Sequence, residues 1–78
     1  MKEVKRVANV GERIKVINDE GWERSGLWEN PHPVNSEWIV TKVLIKNCFP
    51  PGMVFVKDNH YGIGADKYVV LEEKTPFN

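Results

Sequence analysis

Trp38-Ile39-Val40-Thr41-Lys42-Val43-Leu44-Ile45, Met53-Val54-Phe55-Val56 and Tyr68-Val69-Val70-Leu71 are the stretches whose reading decides the fold. All three are rich in β-branched and aromatic residues, the side chains that pack well on a pleated surface. Between them lie Pro50-Pro51-Gly52 and Asn59-His60-Tyr61-Gly62-Ile63-Gly64, two clusters of turn-forming residues. The pattern predicts a meander of antiparallel strands. Glu12-Arg13-Ile14-Lys15-Val16-Ile17 adds a strand upstream. Short strands of this kind must bury their apolar faces against one another, so the expected fold is all-β, a small curved sheet closed on itself.

The register follows from the period of two. In Glu12–Ile17, Ile14 and Val16 share the inner face with Val10, while Arg13 and Lys15 point outward. No single register buries all the apolar residues of 38–45. A β-bulge near Thr41-Lys42 would turn Trp38, Val40, Val43 and Ile45 inward and leave Lys42 in water. Val54 and Val56 are expected to face Val69 and Leu71. Asn18-Asp19-Glu20-Gly21 reads as a chain reversal, Asn47–Gly52 as a turn, and Asp58–Lys67 as a Gly-containing connection that ends in a 3₁₀ turn. Residues 1–9 read as a flexible N-terminal arm or weak strand, 10–73 as the folded unit and 74–78 as a C-terminal tail.

A chain of 78 residues has room for one domain and a lean core. Cys48 is the only cysteine, so no internal disulfide framework is possible, and a reducing cytoplasm is the expected location. No stretch approaches the roughly 20 apolar residues of a membrane span. The formal net charge is zero, yet it is unevenly spread. Lys2, Lys5, Arg6, Arg13 and Lys15 outweigh Glu3 and Glu12 in residues 1–18, whereas Asp19, Glu20, Glu23, Glu29 and Glu37 outweigh Arg24 in residues 19–37. The long segment before Trp38 is therefore acidic, and a partner for it should be basic.

The opening strand Val10-Gly11-Glu12-Arg13-Ile14-Lys15-Val16, the long acidic aromatic loop, the Trp38-x-Val40-x-x-Val43 strand and the ending Tyr68-Val69-Val70-Leu71-Glu72-Glu73 together resemble an SH3-like barrel. The likeness is greatest to short proteins of bacteriophages that infect Gram-positive bacteria. It implies about five short antiparallel strands with one long loop over residues 10–73. Nothing near Val10–Asn18 matches the Ala-Leu-Tyr-Asp-Tyr type segment of peptide-binding SH3 domains, so recognition of proline motifs is not implied.

Candidate contact residues come from the long loop. Gly21, Gly26, Pro31 and Pro33 break any periodicity there, and Trp22 and Trp28 are each followed by a carboxylate, Glu23 and Glu29. Trp is enriched at interface hot spots because it combines a large contact area with a polar N–H. With His32, these four form the expected partner-binding set. The alternative is a nucleic-acid face built from Arg13, Lys15, Lys42 and Lys57, with Tyr61, Phe49 or Phe55 as stacking surfaces.

No catalytic residues, metal site or cofactor are expected. Asp58, His60 and Asp66 lack the ligand spacing of a calcium loop, and Gly62-x-Gly64 lacks the third glycine of a dinucleotide site. Cys48 has no orienting partner for either His32 or His60. The function expected from sequence is a non-enzymatic protein-interaction module, a phage-derived accessory or host-takeover protein. The alternatives are a nucleic-acid-associated barrel and a subunit of a larger particle.

Overall fold

Glu37–Leu44 is the longest strand, and it belongs to two ladders at once. In the computed structural model, which describes residues 2–26, 28–46 and 51–72, six strands run in the order β1 (Lys2–Val4), β2 (Arg13–Val16), β3 (Glu37–Leu44), β4 (Met53–Val56), β5 (Asn59–Ile63) and β6 (Tyr68–Glu72). They form one antiparallel sheet with neighbours β1-β6-β2-β3-β4-β5. The first half of β3 pairs with β2, Ile14 opposite Trp38, and the second half pairs with β4, Val43 opposite Val54. Between Val40 and Lys42 the register shifts, which is the bulge expected from the sequence.

The bulge has the expected effect at most positions. Val40 is buried, Trp38 and Val43 pack against the core, and Lys42 is exposed. Ile45 differs: it lies past the end of β3 and is 65% exposed. Val10 is also outside, at 64% exposure, because Glu12 N–H closes a turn on Asn9 O and Gly11 takes φ 92°, leaving Val10 at the turn's tip. Ala8 takes the place in the core that the sequence offered to Val10.

The sheet is all-β and antiparallel as expected, with six strands instead of five, but it is open and not a closed barrel. Among the described residues, β1 pairs only with β6 and β5 only with β4. Closure is not needed to cover the core. The bend in β3 brings the faces of the two ladders together, so that Ile14, Val16, Tyr68 and Val70 from one meet Val54, Val56 and Ile63 from the other.

Two further readings change. Tyr68 and Val70, not Val69 and Leu71, face Val54 and Val56 in the core. All four are buried, because β6 lies between β1 and β2 and its second face is covered as well. That cover follows from the register. Glu3 and Arg13 flank Leu71, Lys15 flanks Val69, and a Lys15–Glu3 ion pair spans the strand between them. The aliphatic stems of these side chains thus lie beside the apolar residues of β6. Asp58–Lys67 is also not a plain connection: Asn59–Ile63 forms β5, followed by a 3₁₀ turn at Ala65–Lys67. The 74–78 tail, Cys48 and Phe49 lie outside the described residues.

Beyond the β1–β6 ladder, the N-terminal segment is tied down by side chains, among them Tyr68 and Arg6. The Tyr68 hydroxyl, fully buried, donates to Gly52 O at 2.7 Å and accepts from Ala8 N–H at 3.2 Å. Gly52 itself has φ 109°, and a Cβ there would meet Val7 Cγ2 at 2.7 Å, so only glycine suits the position. Arg6 forms a fork on Glu12, with Nη1–Oε1 at 2.8 Å and Nη2–Oε2 at 2.6 Å, and its Nε donates to Glu72 Oε2 at 3.0 Å.

Replacing Tyr68 by Phe leaves a buried N–H and a buried C=O without their partner. We expect a loss of about 1–3 kcal/mol in urea unfolding, with faster hydrogen exchange at the Ala8 amide. Unchanged stability would contradict the tie. The second tie has a pH signature. Hydrogen bonding to Arg6 holds the Glu12 carboxyl down at about 2, against 4.5 for the unperturbed group. The stabilisation is whole above 4.5 and is lost as pH falls through about 2. Glu12→Gln should remove this part of the acid destabilisation in unfolding curves recorded across that window.

Candidate functional site

The chain between β2 and β3 is long, yet it is fixed by its own side chains. Asn18 Oδ1 accepts from Glu20 N–H, and Asp19 Oδ2 accepts from Asn30 Nδ2 at 2.6 Å. Asn30 Oδ1 in turn accepts from His32 N–H at 3.0 Å. These are the local bonds that Asn and Asp offer to backbone in turns. Among the described residues, side-chain bonds also reach the loop from outside it: Lys67 Nζ donates to Glu20 O at 2.9 Å, and Asn59 Nδ2 donates to Pro31 O at 3.0 Å. The loop is therefore clamped to the 3₁₀ turn before β6 at one point and to β5 at another.

His32 is a largely buried seat of the loop. It is 8% exposed, its ring meets Trp38 edge-on with centroids 5.4 Å apart, and its Nε2 is buried without a hydrogen-bond partner among the described residues. Burial pushes the imidazole below its ordinary pKa, against a smaller opposing effect of the Asn59 side chain. Trp38 is fixed from its other end, where Nε1–H donates to Ser36 Oγ at 2.8 Å.

The remaining members of the expected set line two adjoining clefts. Trp22, half-buried on the Trp22–Ser25 3₁₀ turn, shares a cleft of about 260 Å³ with Asp19, Glu20, Tyr61 and Lys67, and His32 forms part of its wall. Trp28 is 99% exposed and shares a second cleft, of about 460 Å³, with Glu29, Asp58, His60 and Tyr61. Glu23 is exposed on the 3₁₀ turn and lines neither cleft.

Tyr61 borders both clefts, and sequence reasoning had placed it with the basic residues instead. Its position comes from β5. Val56 pairs with Asn59 and Val54 with Ile63, so three residues of β5 stand opposite one of β4, and His60-Tyr61-Gly62 bulge out. Gly62 permits this, because a Cβ there would meet Met53 Sδ at 2.8 Å. The signal in the sequence was the pair Lys57-Asp58, a two-residue hairpin connection whose Asp58 adopts φ 65°, a conformation that Asp tolerates better than most residues.

The alternative cationic set is brought together only in part, with carboxylates among it. Arg13 and Lys15 share the outer face of β2, but Arg13 Nη1 lies 3.7 Å from Glu37 Oε1 and Lys15 is paired with Glu3. Lys42 sits over the Phe55 ring, 5.9 Å from its centroid. Lys57 borders a shallow depression with Arg13, Glu37 and Asp58, so carboxylates are interleaved there as well. Glu20, Glu23, Glu29 and Asp58 contrast with this face, having no ion-pair partner among the described residues.

Among the described residues, no three His, Cys, Asp or Glu side chains converge as metal ligands, and no helix is long and apolar enough to cross a membrane. No protein-family model, curated protein or solved structure matches the chain.

Because the folded state favours neutral His32, the fold's stability should be whole above the ordinary histidine pKa of about 6.5 and fall as pH drops below it. Unfolding curves of the parent chain and of His32→Phe, recorded from neutral to mildly acidic pH, test this. The variant should lose the slope just below neutrality, and an identical slope in both would contradict the role given to His32.

Proposed function

We propose that the chain is a non-enzymatic protein-interaction module, SH3-like in the sequence of its elements, whose loop between β2 and β3 binds a basic protein surface. The observation that carries this reading is the division of charge. Arg6, Arg13 and Lys15 are each paired with a carboxylate, whereas Glu20 of one cleft and Glu29 and Asp58 of the other have no ion-pair partner among the described residues and lie beside aromatic rings. Paired cations on a sheet face attract phosphate weakly, and unpaired carboxylates next to Trp and Tyr attract ammonium and guanidinium groups. The clamped loop adds to this, since a surface already ordered costs little to hold in its bound form.

The SH3-like part of the proposal is supported by the run of elements from β2 onward: the long loop, β3, β4, β5, a 3₁₀ turn and β6. The proposed setting, a bacteriophage accessory or host-takeover protein acting in the host cytoplasm, rests on the sequence likeness and on the lone Cys48.

Adding a short poly-arginine peptide, a poly-glutamate peptide and a single-stranded oligonucleotide in turn to the ¹⁵N-labelled protein tests the reading. Only poly-arginine should shift the amides of residues 19–31 and 58–62, with an affinity that falls as salt is added. Oligonucleotide binding centred on Arg13 and Lys15 would replace the proposal with the nucleic-acid reading.

A further inference from the structure

The cleft between the loop tip and the β4–β5 hairpin differs from the Trp22 cleft in its chemistry. It is lined by a tilted pair of rings, His60 and Tyr61, with centroids 4.4 Å apart and planes inclined by 33°. Trp28 stands at its border with almost its whole surface in water. Glu29 from the loop and Asp58 from the hairpin bring carboxylates to the same cleft, and no cation among the described residues pairs with either. The two walls are joined by the Asn59–Pro31 hydrogen bond, which fixes the loop tip relative to the hairpin. Asn59 also accepts from Tyr61 N–H at 2.9 Å, so the same residue that ties the loop holds the bulge in place.

We propose that this cleft is an arginine subsite, in which the guanidinium of an extended peptide stacks on the Tyr61–His60 rings beside Trp28 and donates hydrogen bonds to Glu29 and Asp58. The proposal rests on the acidic-groove reading above and assigns the position and side chain that the groove recognises. A guanidinium is flat, so it can lie on an aromatic face while its N–H groups reach carboxylates in its own plane. A compact ammonium meets only part of that arrangement. Because Tyr61 borders both clefts, residues next to the arginine would continue along it into the Trp22 cleft.

The test uses N-acetyl-arginine amide with its lysine and citrulline analogues, and a poly-arginine peptide, against the full chain and its variants. The arginine compound should shift the Trp28 indole and the Tyr61 and His60 ring resonances, the lysine compound should do so more weakly, and uncharged citrulline should not. Tyr61→Ala should weaken poly-arginine binding by about tenfold, with a smaller loss in Asp58→Asn, where Asn keeps the positive φ accessible. Trp28→Ala is the control for folding, because so exposed a side chain contributes no core contact; it should also weaken binding. If poly-arginine binds the parent chain and these three variants equally, the subsite is wrong and the acidic groove stands. If lysine or citrulline matches arginine at these resonances, the guanidinium assignment is overturned. If poly-arginine does not bind at all, both proposals fall.

Discussion

The bend in β3 at Thr41 is the constraint on which the other features of this protein depend. One strand supplies the edge for β2 on one side of the bulge and for β4 on the other, so a single sheet folds into two ladders whose apolar faces meet. A straight strand of the same sequence would expose either Val40 or Val43. With the bend in place, Val40 enters the core and Trp38 comes to lie under the loop, where the His32 ring packs against it. The position of the acidic loop is thus a consequence of how β3 turns. The Tyr68 hydroxyl completes the arrangement by tying the N-terminal segment and Gly52 to β6.

Charge is distributed by the same geometry. Cross-strand neighbours share a face, so Glu3, Arg13, Lys15 and Glu37 come together on the outside of β1, β6, β2 and β3 and compensate one another beside Val69 and Leu71. Exposed pairs of this sort contribute little stability individually, but each sets a carboxylate beside a cation on that face. Among the described residues, Glu20, Glu23 and Glu29 of the loop form no such pair. An acidic aromatic surface therefore remains on a protein of zero net charge.

The parts of the fold governed by short-range pattern were legible in the sequence. Alternation marked β2 and β4, and the conflict between Val40 and Val43 marked the bulge. Long-range geometry was not legible. Val10 alternates correctly with Ile14 but precedes a turn, so its side chain points to water. β5 was hidden because three of its residues oppose one of β4, which erases the period of two. The same irregularity places Tyr61 at the border of the two clefts, which alternation does not reveal. The burial of His32 beneath the loop was not legible either, because it depends on the three-dimensional position of Trp38.

The central claim is that folding neutralises the β2 face and leaves the loop and the β4–β5 hairpin electronegative. Paramagnetic relaxation of the backbone amides by cationic and anionic forms of one small nitroxide measures that potential residue by residue, without any binding partner. The account predicts enrichment of the cationic form at residues 19–31 and 58–62, and nearly equal effects of the two forms at Arg13, Lys15 and Ile39. Enrichment of the anionic form over Arg13 and Lys15, or no difference between the two forms at the loop, would contradict it.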